Sequence, residues 1–161
     1  MPGRRILSIW FPRLGAERLL RRLAPAQPLP LAVVAEERGA RVVASLSAPA
    51  QAAGVARGQT LRDALALCPA LLTRPVDAPA DAAFLSALRR WAGRFTPLVA
   101  EEPPEALMLD ITGCAHLFGG EAGLLSRIAE DCTALALSHT AAIADTPGAA
   151  WALARFGGAG V

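Results

Sequence analysis

The stretch Leu107–Leu125, LMLDITGCAHLFGGEAGLL, constrains the fold more than any other part of this 161-residue chain. Its first half alternates: Leu107, Leu109 and Ile111 share one face, and Met108, Asp110 and Thr112 the other. A period of two is that of a strand with one buried side, and Thr112-Gly113 ends it. The second half turns at Gly119-Gly120 and enters a helix whose apolar stripe is Leu124, Leu125, Ile128 and Cys132. Asp110 is the lone acid of the strand. A carboxylate on the wet face is its plain reading.

The rest of the chain supplies partners for that strand. Ile6–Phe11 is apolar on both sides, as a central strand is. Pro12 then suits the first turn of a helix through Glu17, Leu19, Leu20 and Leu23, whose arginines form a solvated basic face. After the Pro25–Pro30 connector, Leu31–Ala35 and Arg41–Ser45 predict a hairpin around Gly39. Ser47 suits the cap of a short helix Pro49–Ala53, and Thr60 the cap of a helix that Pro69 stops. Leu71–Arg74 reads as a short strand and Pro75–Pro79 as a second connector. Phe84, Leu88, Trp91 and Phe95 recur at helical spacing, a stripe that reads as core. Strands are expected at Leu98–Glu101 and Leu137–Ala144, and helices at Glu121–Ala134 and Pro147–Phe156.

That order predicts an α/β (α+β) protein. Residues 1–25 and 76–161 form a ferredoxin-like split βαβ sheet with helices on one face, and residues 26–75 a small inserted lobe. The ending Gly157-Gly158-Ala159-Gly160 has no apolar residue to bury and reads as a linker or a truncation.

Composition narrows the chemistry. All sixteen basic residues are arginine, so a phosphate-binding or Schiff-base lysine is excluded for this chain acting alone. The net charge of +2 does not by itself point to nucleic acid. No apolar run approaches the roughly 20 residues of a membrane span. Ile6–Phe11 behind Arg4-Arg5 is too short for a signal peptide, so a cytoplasmic protein with no membrane partner is expected. Cys68, Cys114 and Cys132 are odd in number and set in apolar surroundings, which predicts reduced thiols. Cys114-x-His116 lacks the second pair a zinc site needs, and His139 in an apolar strand reads as a core residue. One acidic grouping remains: Glu101, Glu102, Glu105 and Asp110, interrupted by Pro103-Pro104. Carboxylates converging from neighbouring strands can hold Mg²⁺ for attack on a phosphate, whereas solvated acids in a β-turn are the plainer account.

Four segments, in this order, resemble the palm and fingers of Y-family (DinB/UmuC-type) translesion DNA polymerases: Arg4–Glu17 (RRILSIWFPRLGAE), Ala44–Val55 (ASLSAPAQAAGV), Ala64–Pro69 (ALALCP) and Leu109–Gly120 (LDITGCAHLFGG). The chain is most similar to the catalytically degenerate ImuB-like branch. Active members carry two aspartates, two apart, on the first strand; setting the family's following glutamate on Glu17 puts Ser8 and Trp10 at those positions. The family's aspartate-glutamate pair falls on Glu105 and Ala106 when the next aspartate is set on Asp110. The tyrosine and arginine that contact the triphosphate fall on Ala48 and Gln51, and the late lysine on Pro147. Loss of one charge-assisted donor alone costs about 2–4 kcal/mol in a transition state.

The resemblance therefore implies a pseudo-polymerase without cofactor, acting as an accessory scaffold in damage-induced mutagenesis. It also implies as partners the sliding clamp, a RecA-like accessory protein and an error-prone C-family polymerase. The DNA-gripping little finger and the clamp-binding segment of that family lie C-terminal to these residues, so DNA binding is expected to be weak. Two alternatives stand beside it. One is a divergent nucleotidyltransferase holding Mg²⁺ on Glu105 and Asp110, with help from Glu101 or Glu102. The other is a ferredoxin-like binding domain unrelated to DNA.

Overall fold

The structure is a computed structural model and describes residues 3–157. In chain order its elements are β1 (Ile6–Trp10), α1 (Leu14–Leu23), β2 (Leu31–Glu37), β3 (Ala40–Leu46), α2 (Ala48–Ala52), α3 (Leu61–Leu67) and β4 (Leu72–Pro75). They continue with α4 (Ala78–Ala92), β5 (Val99–Glu102), β6 (Ala106–Asp110), α5 (Glu121–Ala134), β7 (Thr140–Ala144) and α6 (Pro147–Phe156). The described residues fall into two compact units: Arg13–Asp81 forms one, and the residues before and after it the other.

The first unit is built on an antiparallel sheet in the order β5-β6-β1-β7. The alternation of Leu107–Ile111 becomes β6, and the apolar first strand becomes β1, flanked on both sides. Leu7 and Ile9 lie opposite Leu109 and Leu107, and all four are fully buried. Glu101, opposite Leu107, shares that face, where α4 reaches it through Ser86 Oγ at 2.7 Å and Arg89 at 3.8 Å. Helix α5 is tied to α4 by Trp91 Nε1, which donates to Asp131 at 3.0 Å. The other face carries Ile6, Ser8 and Trp10 of β1, and α6 covers it: Ile6, Ala144 and Ala150 pack into one cluster with Met108. Thr146 caps α6 by accepting from the Ala149 amide at 3.2 Å, and Pro147 takes the first turn.

In the second unit β2 lies between antiparallel β3 and parallel β4. The predicted hairpin turns on Arg38-Gly39, both at positive φ (50° and 78°), which suits the twist of a tight hairpin. Both predicted caps form: Ser47 accepts from Ala50, and Thr60 from Asp63. The domain boundary differs from the expected one. Helix α1 belongs with this unit and not with the larger sheet, because Ala16 packs on Leu31 and Val33 together with Leu19, Leu20 and Leu72. The Ala16 amide also donates to Ser45 Oγ at 3.1 Å, and Arg18 pairs with Asp81 at 2.6 Å. An apolar stripe on α1 needed a sheet to bury it, and β2 supplies one.

Two local expectations also change. The last strand begins at Thr140, leaving His139 just before it, where burial pushes the imidazole pKa down. A 3₁₀ turn, Ala115–Phe118, precedes Gly119-Gly120 and carries His116. The residues Gly158-Ala159-Gly160 lie outside the described ones. Cys68 and Cys132 are buried and Cys114 is half-buried, and none of the three is in a disulfide. Among the described residues, no helix is long and apolar enough to cross a membrane.

Candidate functional site

Strand pairing sets two of the positions that the resemblance singled out, Trp10 and Ala106, in one transverse row on the α6 side of the sheet. Glu102 lies opposite Ala106, Ala106 opposite Trp10, and Trp10 opposite Thr140. Directly paired residues point to the same face, so the four side chains stand side by side across β5, β6, β1 and β7. Ala106 is fully buried. The Trp10 indole Nε1 donates to Glu105 Oε1 at 3.2 Å, and the Phe11 amide to the Glu105 carbonyl at 2.8 Å, extending the ladder past the end of β6.

Arg155, from the last turn of α6, covers this row. Its guanidinium carbon lies 5.3 Å from the Trp10 ring centroid and 4.4 Å from that of Trp151, four residues earlier on the same helix face. Its Nη2 is 3.6 Å from Glu102 Oε1. Thr140 Oγ1 donates to the Ala154 carbonyl at 2.5 Å, which fixes the height of this turn above the sheet. Two residues further along β1, Ser8 sits opposite Met108 and Ala142, is fully buried, and its hydroxyl has no hydrogen-bond partner.

The four acids singled out in the sequence do not converge. Glu101 and Glu102 are successive strand residues and point to opposite faces, toward α4 and α6 respectively. Glu105 and Asp110 stand five residues apart along one strand, about 16 Å at the usual rise. One ion cannot touch both, so the ligand pair expected for a divergent active centre is not assembled. Asp110 closes its strand: its Oδ1 accepts from the Thr112 amide at 3.1 Å, and Arg4 lies 3.5 Å from Oδ2. Among the described residues, no group of three or more His, Cys, Asp and Glu could hold a metal. Nor do the family's metal positions suit Mg²⁺, which takes oxygen ligands in octahedral array. A buried serine, an indole and a methyl group stand at Ser8, Trp10 and Ala106, with one carboxylate at Glu105 engaged by the indole.

Of the three positions that the resemblance sets at the triphosphate, one has a side-chain partner and two open helices. Gln51 Oε1 accepts from Arg13 Nη2, whose Nη1 donates to the Leu46 carbonyl at 3.1 Å. Ala48 opens α2, and Pro147 opens α6 without an amide to offer. The sequence reading missed Arg155 and Trp151. Their four-residue spacing on a helix was the available signal, but nothing in it showed that Glu102 and Trp10 would lie beneath.

Next to the site, Arg5 at the head of β1 clamps Glu121 through two bonds, at 2.8 and 2.9 Å, and reaches Asp145 at 2.5 Å. The bonds from Arg5 hold the Glu121 carboxyl below its ordinary value. Hydrogen bonds from Thr112, followed by Arg4, do the same for Asp110. A carboxyl with a lowered folded pKa stabilises fully above its unfolded value and loses that contribution as pH falls through the folded one. Urea midpoints are therefore expected to change little between pH 7 and 5 and to drop below about pH 4. Arg5→Ala should flatten that drop, measured by denaturation across the same pH series.

Comparison with known proteins follows the same lines. A family model, that of the impB/mucB/samB family, matches residues 16–155. Protein ImuB of Caulobacter vibrioides, strain NA1000 / CB15N, is 51% identical over 104 residues, which cover 65% of this chain and 23% of that protein. The ImuB of strain ATCC 19089 / CIP 103742 / CB 15 matches to the same extent. The chain thus spans about a quarter of the length of these curated relatives. The crystal structure of DinB from Sulfolobus solfataricus superposes with a TM-score of 0.74 at 19% identity, over 93% of this chain and 45% of that one. The post-insertion binary complex of Dbh DNA polymerase gives a TM-score of 0.78 at 19% identity, with the same coverage. At such identity the likeness shows the fold alone, that of a Y-family palm and its neighbouring lobe.

Proposed function

This chain belongs to the impB/mucB/samB family of Y-family polymerase-like proteins, and from that premise we propose that it is a non-catalytic palm and fingers serving as a scaffold in translesion synthesis and damage-induced mutagenesis. The observation that carries this reading is the Trp10 indole bonded to Glu105 where active relatives present carboxylates to Mg²⁺. Phosphoryl transfer to a growing strand rests almost wholly on positioning and on neutralising triphosphate charge with metal, arginine and lysine. Here Ser8 and Ala106 are buried under α6, Gln51 is bonded to Arg13, and Pro147 stands where the family has a lysine. What survives is the fold, which supports a binding role.

The partners that suit this reading are those of the family resemblance: a sliding clamp, a RecA-like accessory protein, an error-prone C-family polymerase, and DNA held weakly. The unit Arg13–Asp81 has nine arginines against six acids, the more basic of the two. The test is a titration of the folded protein with a fluorescent dNTP analogue, with and without Mn²⁺. No saturable binding is the expected result. Metal-dependent binding in the micromolar range, abolished by Glu105→Ala, would replace the scaffold with a divergent nucleotidyltransferase.

A further inference from the structure

We propose that Arg155 is a resident cation that has taken over the electrostatic role of a divalent metal on this face of the palm. The inference rests on the non-catalytic reading and adds to it what balances the charge of Glu102 on this face without metal. Every strand in the row contributes one member: Glu102 from β5, Ala106 from β6, Trp10 from β1, Thr140 from β7. Arg155 touches Glu102 on one side of Ala106 and Trp10 on the other. It thus engages both strand neighbours of Ala106, the position at which the resemblance sets a metal-binding glutamate.

Three features show that this place is built. The arginine is stacked on two indoles, Trp10 and Trp151, the most favourable partners for a flat cation. Its side chain is only 14% exposed, so its attraction to Glu102 is less screened than that of a surface pair. Its helical turn is tied to β7 through Thr140 and the Ala154 carbonyl. The Trp10 ring is shared: its nitrogen serves Glu105 while its face serves Arg155. One cation and one indole thus engage both acids of this edge. A metal ion would have to displace the guanidinium from Glu102 and the indole from Glu105.

The experiment uses Mn²⁺ alone, followed by water-proton relaxation, on wild type, Arg155→Gln, Arg155→Lys and the double variant Ala106→Glu/Arg155→Ala. Wild type and Arg155→Lys, which keep the cation, are expected to bind no better than a surface carboxylate. Arg155→Gln fills nearly the same volume without charge and should bind at least fivefold more tightly. The double variant should bind more tightly again, with a melting temperature that rises on adding Mn²⁺ and falls with EDTA. Wild-type affinity in folded Arg155→Gln would overturn the proposal, as would equal gains in Arg155→Lys and Arg155→Gln. If the double variant does not fold, the Gln and Lys pair alone decides the matter. Either failure leaves the non-catalytic reading standing, because that reading falls only if wild type binds nucleotide with metal.

Discussion

Ser8→Asp is expected to destabilise the protein by about 3–5 kcal/mol at neutral pH, the penalty of a buried charge without a partner. The resemblance sets this position at a metal-binding aspartate of active members, yet here it is sealed. Ser8 is fully buried, opposite Met108 and Ala142, with Ile6, Ala144 and Ala150 beside it. Its own hydroxyl has no partner, so no donor is already placed to receive a carboxylate at that point. A carboxyl there has its folded pKa raised, so the penalty is largest at high pH and shrinks as pH falls through that value. Urea midpoints should therefore show Ser8→Asp closer to wild type at pH 5 than at pH 7. Ser8→Ala removes an unsatisfied hydroxyl and should be neutral or mildly stabilising. An aspartate tolerated without cost, with Mn²⁺ binding gained, would show that this face is open and would overturn the account of a sealed position.

Gly123→Ala carries the second large effect, an expected loss of about 3 kcal/mol, at the upper end of typical overpacking. A Cβ on Gly123 would stand 1.9 Å from the Phe118 carbonyl oxygen, far inside contact distance. The obstacle is backbone, so no side-chain rotation relieves it. The 3₁₀ turn Ala115–Phe118 would have to move, and with it the Phe118 ring that meets Phe95 at 5.5 Å. Gly148 provides the control. It sits in the first turn of α6 with no atom within 4 Å of its Cβ position, so Gly148→Ala should gain about 0.4–1 kcal/mol from a stiffer unfolded chain. Chemical denaturation of the two variants, side by side, separates close packing from helix propensity. A Gly123→Ala protein as stable as wild type would mean that the turn is far looser than its contacts indicate.

Much of the local structure was legible because it has local causes. Ser47 and Thr60 announced their helices by capping them. Glu121–Ala134 and Pro147–Phe156 match the expected helices residue for residue, since a Gly-Gly break and a helix-starting proline are short-range signals. The last strand was drawn too long because Leu137-Ser138-His139 carries no glycine or proline to mark a boundary, and only pairing with β1 shows where it begins. The place of α1 was misjudged for a related reason. An amphipathic helix shows which of its faces is buried but not which sheet buries it.

The same division runs through the candidate site. Residue identity alone determined that this chain has no lysine, and that serine, tryptophan and alanine stand at the three positions the resemblance sets against carboxylates. A side chain that is not encoded cannot be restored by any folding event. What occupies the vacated place was a tertiary matter. Glu102, Ala106, Trp10 and Thr140 are scattered over more than a hundred residues and become neighbours only through the strand register, with Arg155 lowered onto them by α6. Distance and burial decide whether charges meet, and neither is written in sequence spacing once the partners lie on different strands.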